Sequence, residues 1–268
     1  MNFIKIWKQY RLIQLAEKEK SKYLKSVYKD LNSLEVNVLN EILTQGFSIV
    51  ENYYSPDECQ KLIAVIDEII AKYEDSYVWQ DSLKSDSRIY GCEKIREEFR
   101  SFSEDKFLKR VGESFLGYYL TSSHVLAGRI KFKVGNLGSG QGWHRDTSNP
   151  FQFKAIIYLS DVSSENGPFE YLLGSHTKRS LMAGVINFNI EPGQTRFSES
   201  EIENMVISGK YSRRALTAKA GTLILVNTYG IHRGLPVKDG NRYALTNYFV
   251  ETENYDQEIM KRKYNLPS

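Results

Sequence analysis

The amino-terminal part of the chain mixes charged and apolar residues in a helical pattern. No Pro or Gly occurs before Gly46, so residues 1–45 are expected to form a helical N-terminal extension. The following apolar run at residues 47–50 predicts a short strand. It begins the part of the chain, residues 46–268, that we expect to form one domain.

A further helix is predicted where Ser55 and Pro56 are followed by Asp57 and Glu58. Ser is a frequent N-cap, Pro suits the first helical turn, and acidic side chains stabilise a helix amino terminus. The apolar residues that follow recur at helical spacing and form one stripe: Leu62, Ile63, Ile66, Ile69, Ile70 and Tyr73. The stripe predicts that this helix packs against a sheet.

The pattern changes to a period of two from Val125 onward, where apolar Ile130, Phe132 and Val134 alternate with basic residues. This alternation predicts a strand that runs to Val134. Further strands are predicted at residues 155–159, 222–227 and 243–250, separated by loops rich in Gly, Ser and Asn. Helices first and strands afterwards indicate a mainly β fold, a sandwich or jelly roll, with flanking helices.

The composition is that of a globular protein, with 41% hydrophobic and 26% charged residues among 268. The formal charge of +3 is spread along the chain, so nothing favours a nucleic-acid partner, while a small anionic substrate is compatible. Cys59 and Cys92 belong to no CxxC motif or disulfide framework, and a reducing cytoplasm fits this best. No segment is long enough to span a bilayer.

The first 15 residues carry Phe3, Trp7, Tyr10 and Ile13 at helical spacing, with basic residues between them. The interruptions leave no continuous apolar segment for a secretory signal. Two interpretations stay open: a basic helix lying on a membrane surface, or a helix packed on its own domain. The second is favoured because it is the commoner use of an amphipathic helix.

Two of the four histidines follow predicted strands in a spacing that suits a metal. Residues i and i+2 of an extended segment project to the same side, so His144 and Asp146 can reach one metal while Arg145 points away. His232 can supply a third ligand. Two nitrogens and one oxygen on one face form the facial triad of non-haem iron oxygenases, although zinc accepts the same ligands.

Arg242 follows His232 by ten residues at the start of another predicted strand. Its planar guanidinium could hold the free carboxylate of 2-oxoglutarate by two parallel hydrogen bonds. The alternative is an arginine that pairs with a surface carboxylate. An HxD motif alone is a weak signal, and its combination with a later His and Arg strengthens it.

Four segments in this order resemble the phytanoyl-CoA dioxygenase family of 2-oxoglutarate oxygenases: GWHRD, SENGPFEYLLGSH, GTLILVNTYGIHRG and GNRYALTNYFV. The resemblance covers about residues 36–250. It implies a double-stranded β-helix of the cupin-like kind, Fe(II) bound by His144, Asp146 and His232, and Arg242 as the 2-oxoglutarate anchor. Dioxygen is the implied second cosubstrate, and hydroxylation of a small-molecule substrate with release of succinate and carbon dioxide is the implied reaction.

The chain departs from the family next to the anchor. Family members often carry Ser or Thr two residues after the anchoring Arg, and this chain has Ala244. Thr246 lies on the same strand face and is the candidate replacement. Lys133 resembles a family lysine that approaches the cosubstrate, and a solvated strand lysine is the alternative.

Two further histidines and one polar segment are weaker candidates. His176 falls in the GPFEYLLGSH signature without being an implied ligand, so we expect it to order a loop, and His124 receives no role. Residues 184–214 predict a long loop that closes over substrate. Its arginines suggest a phosphate or carboxylate on the substrate, or else a solvated loop: Arg196, Arg213 and Arg214.

Two rival functions remain at this point. One is a cupin-like binding protein that has lost turnover, which the complete set of candidate ligands argues against. The other is an oxygenase whose outcome is desaturation, cyclisation or halogenation.

Overall fold

A computed structural model describes residues 3–23, 30–73, 77–146, 152–252 and 256–258. The helices are α1 (Phe3–Tyr23), α2 (Ser33–Gln45), α3 (Pro56–Tyr73), α4 (Cys92–Ile95), α5 (Arg100–Ser103), α6 (Lys106–Leu116), α7 (Lys178–Asn187) and α8 (Glu199–Ile207). The strands are β1 (Phe47–Val50), β2 (Val78–Gln80), β3 (Asp86–Tyr90), β4 (Leu120–Lys131), β5 (Phe153–Tyr158), β6 (Phe169–Leu173), β7 (Ser212–Leu216), β8 (Leu223–Asn227), β9 (His232–Gly234) and β10 (Asn241–Glu251).

The strands form two antiparallel sheets. The larger sheet has the order β1-β8-β5-β10-β4-β3-β2, and the smaller one has the order β7-β6-β9. Apolar side chains from both sheets meet in one core cluster, with Tyr158 and Ile224 from the larger sheet and Phe169 and Tyr171 from the smaller one. The sheets therefore face each other as a double-stranded β-helix, and the predicted fold class is confirmed.

The helices cover the other face of the larger sheet. Ile66 of α3 and Phe115 of α6 are buried in a second core cluster together with Leu225 and Leu245 of the sheet. Of the apolar stripe predicted for α3, Leu62, Ile66, Ile69 and Ile70 are buried. The larger sheet is thus packed on both faces, which fixes the strands that carry the candidate site.

The end of α2 sets the position of β1. A capping box between Asn32 and Glu35 begins the helix, and Gly46 ends it in the left-handed region at φ 94°. A Cβ atom at Gly46 would lie 2.4 Å from the Tyr171 hydroxyl oxygen. Only glycine allows this close approach, so the chain can turn directly into β1.

The N-terminal helix α1 packs on its own domain through one residue of the predicted stripe. Ile13 is 5% exposed and contacts Leu181 of α7 and Tyr229. Phe3 and Trp7 are 73% and 59% exposed, so contact of residues 1–15 with a membrane surface stays a prediction.

Val38 and Ile42 of α2 join the core beside the larger sheet. The division of the chain after residue 45 likewise stays a prediction.

No helix among the described residues has the length and apolar character needed to cross a membrane. Cys59 and Cys92 are buried and form no disulfide, as the sequence predicts.

The strand predicted to run from Val125 to Val134 has different bounds. β4 starts at Leu120 and ends at Lys131, and Val134 is 87% exposed. The pairing explains the end, because Lys131 faces Asn241, the first residue of β10. Beyond Lys131, none of the strands in the described part of the chain pairs with the alternating residues.

Residues 184–214 do not form the long loop that we predicted. They contain the end of α7, the whole of α8 and the start of β7. Ser198 and Glu201 form a capping box that begins α8, and Ile202 and Met205 of this helix are buried beside Trp143. The polar composition belongs to the outer face of a packed segment, so no closing loop follows from it.

Candidate metal centre

Three side chains that could bind a metal converge between the two sheets. The Nε2 atoms of His144 and His232 each lie 3.8 Å from the Asp146 Oδ1 atom. One potential ligand atom from each of the three residues lies within 4.8 Å of the others. The three residues predicted from spacing are therefore brought together.

A reciprocal backbone pair places the two histidines side by side. The His144 amide donates to the His232 carbonyl and the His232 amide donates to the His144 carbonyl, each over 2.9 Å. The ring centroids lie 4.3 Å apart as a result. Arg145 turns the other way, with its guanidinium 4.8 Å from the Tyr229 ring centre. The alternation expected for an extended HxD segment is present.

Each imidazole is oriented by the carbonyl two residues before it. The Nδ1 atoms of His144 and His232 lie 2.9 and 2.8 Å from the carbonyl oxygens of Gly142 and Gly230. A carbonyl oxygen only accepts, so Nδ1 carries the proton and Nε2 keeps its lone pair for a metal. Both histidines share a Gly-x-His pattern, which is the sequence signal for this orientation.

The electrostatics favour the metal-binding protonation states. Burial lowers the pKa of His144, and burial together with the neighbouring His144 lowers the pKa of His232 to about 3. Both imidazoles are therefore neutral near pH 7. Burial opposes ionisation of Asp146, but the adjacent Lys154 ammonium holds the pKa of this carboxyl below its usual range.

Lys154 is a site residue that the sequence did not reveal. Its Nζ atom lies 2.7 Å from the Asp146 Oδ2 atom and 4.2 Å from the centre of the Tyr248 ring. The ammonium holds Oδ2, so Oδ1 faces the two imidazoles. Lys154 is the second residue of β5, and only the packing of that strand beside Asp146 reveals its role.

A cavity of about 340 Å³ extends from these residues between the sheets. Arg242 and Thr246 of β10 line it, on the strand face where alternation predicts them. Arg242 is 7% exposed, and its Nη1 atom donates to the Gly167 carbonyl. No carboxylate of the described residues forms an ion pair with it. A buried guanidinium without a carboxylate partner is an anion-binding group.

Residues 42–242, about three quarters of the chain, match the sequence profile of phytanoyl-CoA dioxygenase (PhyH). The chain belongs to the phytanoyl-CoA dioxygenase family. It is thus a 2-oxoglutarate-dependent dioxygenase that uses Fe(II), 2-oxoglutarate and dioxygen. The donor set fits this metal, because two imidazoles and one carboxylate on one side suit a non-haem iron.

Individual proteins similar to this family member include both hydroxylases and other oxygenases. The L-proline trans-4-hydroxylase of Streptomyces griseoviridis is 24% identical over 209 residues, which are 70% of this chain and 75% of that protein. EctD from S. alaskensis with 2-oxoglutarate and 5-hydroxyectoine superposes with a TM-score of 0.65 at 14% identity, over 87% and 81% of the two chains. The carbocyclase SnoK from nogalamycin biosynthesis gives a TM-score of 0.61 at 16% identity, over 85% and 86%.

Several predicted residues lie away from the centre of this dioxygenase. Lys133 is exposed and donates to the Leu83 carbonyl over 2.6 Å, outside the lining of the cavity, so the structure does not bring it to a cosubstrate. His176 lies 3.4 Å from the Leu43 carbonyl of α2, and its role in ordering a loop stays a prediction. His124 stacks on Tyr248 at 4.6 Å.

The three arginines predicted on the polar segment separate in the structure. Arg213 pairs with Glu199 and Glu203 at 2.7 and 2.8 Å, and Arg214 is exposed on β7. Arg196 alone of the three lines the cavity, where it donates to the Gly140 carbonyl.

Proposed function

We propose that this dioxygenase hydroxylates a C–H bond of a small molecule, with His144, Asp146 and His232 as the iron ligands. The observation that carries the proposal is the orientation of the two imidazoles. Each is fixed through Nδ1, and each presents Nε2 toward the same carboxylate oxygen. Three ligands on one side leave the other coordination positions for 2-oxoglutarate and dioxygen.

Arg242 is the proposed anchor of 2-oxoglutarate. Its buried guanidinium lines the same cavity as the ligand cluster and has free donors for a distal carboxylate. Thr246 lies on the same face of β10, two residues closer to Tyr248 and Lys154 than Ala244 is. The Thr246 hydroxyl therefore lies on β10 between the metal end of the strand and Arg242, where it supports binding of the cosubstrate.

The protein's own contribution is placement. Bound iron with 2-oxoglutarate and dioxygen supplies the oxidising power that breaks a substrate C–H bond. The cavity walls exclude water, Lys154 keeps Asp146 ionised and oriented, and Arg242 holds the cosubstrate. The reaction therefore needs no general acid or base from the chain.

The presence of Asp146 favours hydroxylation over halogenation. A halide at the metal would need the position that this carboxylate occupies, and Lys154 holds the carboxylate in place. The similarity to an L-proline trans-4-hydroxylase also supports hydroxylation of a small molecule. The similarity to a carbocyclase fold makes cyclisation, like desaturation, a distinct outcome of the test.

The test is a small-molecule screen for succinate release, followed by mass analysis of the product in the presence of excess chloride. A product heavier by one oxygen atom supports the proposal. Loss of two hydrogens or a chlorinated product contradicts hydroxylation. The His232→Ala variant is the control, because succinate that it releases cannot come from this centre. A protein that binds the screened compounds without turnover would be a cupin-like binding protein.

A further inference from the structure

The cavity keeps a net positive charge after Fe(II) and 2-oxoglutarate are counted. Apart from Arg145, whose guanidinium lies against Tyr229, the charged lining residues are Arg88, Lys154, Arg196, Arg242, Asp86 and Asp146. Four of these residues are cationic and two are anionic, so their formal charge is +2. Fe(II) adds two positive charges and 2-oxoglutarate adds two negative ones. The loaded cavity therefore keeps an excess that attracts an anion.

Arg88 is a cation of the cavity lining that a carboxylate and an aromatic ring hold in one orientation. Its Nε and Nη2 atoms donate to the Asp86 Oδ2 atom over 3.0 and 2.5 Å, and the guanidinium lies 4.9 Å from the centre of the Trp79 ring. Its Nη1 atom contacts the Tyr90 hydroxyl only at 3.4 Å. The Arg88 side chain is 18% exposed and the Asp86 side chain 7%. Asp86 fixes the edge of the guanidinium formed by Nε and Nη2, so the Nη1 donors are held in place for another acceptor.

The strand register leaves room in front of Arg88. Arg88 is paired with Gly128, and Gly128 is paired with Ala244, so two small residues follow it across the sheet. A Cβ atom at Gly128 would find its nearest neighbours at 3.9 Å, an ordinary van der Waals distance, so the position could hold a methyl group without a clash. This space belongs to the same cavity as the ligand cluster.

The same register separates Arg88 from the cosubstrate anchor. Arg88, Gly128 and Ala244 lie side by side across the sheet. Arg242, which is paired with Ile130, lies two residues before Ala244 on β10 and so further from the metal end of the strand at Tyr248. Rows on one face of a sheet are about 6.6 Å apart. Arg88 thus lies between the metal end and the anchor, at the side of the cavity formed by β3 and β4.

We propose that Arg88, oriented by Asp86, binds a carboxylate of the substrate, while Arg242 binds 2-oxoglutarate. This inference rests on the proposed function. Arg196 is the weaker choice for this role because it is exposed and is held by the Gly140 carbonyl. A cavity of about 340 Å³ that also holds 2-oxoglutarate favours a small carboxylic acid over a bulky phosphate ester.

The experiment uses matched pairs of small carboxylic acids and their neutral amides as probes of succinate release. With the wild-type enzyme, kcat/KM of the acid should exceed kcat/KM of its amide by about 100-fold in each pair that reacts. Arg88→Met should remove most of this preference and lower kcat/KM of the acid by about 100-fold, with Arg88→Lys between the two. The 2-oxoglutarate dissociation constant should change by less than about fivefold.

The matched control is Arg129→Met. Arg129 is the next residue after Gly128, pairs with Asp67 at 2.6 Å and does not line the cavity. This variant should keep the preference for the acid. An amide as the best substrate, or an unchanged preference in Arg88→Met, overturns the proposal. A rise of more than about tenfold in the 2-oxoglutarate dissociation constant of Arg88→Met also overturns the proposal, because Arg88 would then bind the cosubstrate.

Bromide provides a second arm that needs no substrate. In crystals of the protein with Ni(II) and 2-oxoglutarate, a bromide soak should give an anomalous peak at the Arg88 guanidinium that Arg88→Met lacks. Bromide found only elsewhere, or the cosubstrate seated on Arg88, contradicts the inference. The proposed function is tested separately, because iron and 2-oxoglutarate binding by the wild-type protein does not depend on Arg88.

Discussion

Replacing Arg242 by Met should separate cosubstrate binding from stability. Arg242 is buried without an ion pair among the described residues, and burial lowers its pKa, so the folded protein holds this charge at a cost. Met keeps the length and removes the charge, at the loss of the hydrogen bond to the Gly167 carbonyl. The two effects on stability oppose each other, so the melting temperature without ligand should change by less than about 3 °C.

The effect on 2-oxoglutarate should be large. Two charge-assisted hydrogen bonds contribute about 3 kcal/mol, so the dissociation constant should rise about 100-fold. At a concentration of 100 times the wild-type dissociation constant, the cosubstrate stabilises the native protein by about 2.7 kcal/mol. This stabilisation corresponds to a rise of about 5–10 °C in the melting temperature of the wild-type protein, whereas the melting temperature of Arg242→Met should rise by about 1 °C at the same concentration.

The assay is thermal unfolding with Ni(II), with and without 2-oxoglutarate. Arg129→Met is again the matched control, because Arg129 shares Asp67 with the Tyr243 hydroxyl outside the cavity. It should lower the melting temperature without ligand and keep the full shift. A full 2-oxoglutarate shift in Arg242→Met would place the anchor elsewhere and refute the reasoning.

Three further predictions concern the site and the core. His144→Ala and His232→Ala should each abolish stoichiometric Ni(II) binding in calorimetry while circular dichroism stays unchanged, since three ligands leave no spare donor. Gly140→Ala should weaken Ni(II) binding at least about tenfold, because its Cβ would lie 2.3 Å from His144 Cε1. The control is Gly209→Ala, which has a similar φ and nothing within 4 Å of the added Cβ, and which should leave Ni(II) binding unchanged. Burial raises the pKa of Glu113, so its stabilising contribution is lost as pH rises through that pKa, and the melting temperature of Glu113→Gln relative to wild type should increase from pH 5 to pH 8.

Local patterns predicted those elements whose pairing and burial agree with them. Four of the six residues of the predicted α3 stripe are buried, and the strands at β5, β8 and β10 lie within two residues of their predicted bounds. The end of β4 depended on where β10 begins, which no pattern around Val134 records. Residues 184–214 read as polar because α7 and α8 bury only part of their surface. Long-range partners decided both outcomes.

The candidate ligands were predictable because their chemistry is rare and ordered along the chain. His144 and Asp146 have a fixed spacing, and Arg242 follows His232 on a strand. Lys154, by contrast, is an ordinary strand lysine until β5 lies beside Asp146. The Arg88 and Asp86 pair is invisible for the same reason, since β3 precedes β4 by about thirty residues. The sequence therefore indicates the metal chemistry, and the packing shows what surrounds it.

The most direct measurement is an anaerobic titration of the purified protein with Fe(II) and 2-oxoglutarate, followed by visible absorption. Chelation of 2-oxoglutarate by iron at the ligand cluster should give a charge-transfer band that saturates at one equivalent of iron. His232→Ala should give no such band, and Arg242→Met should need about 100-fold more 2-oxoglutarate to reach it. A folded wild-type protein without the band, or an identical band in His232→Ala, would contradict the assignment of this centre.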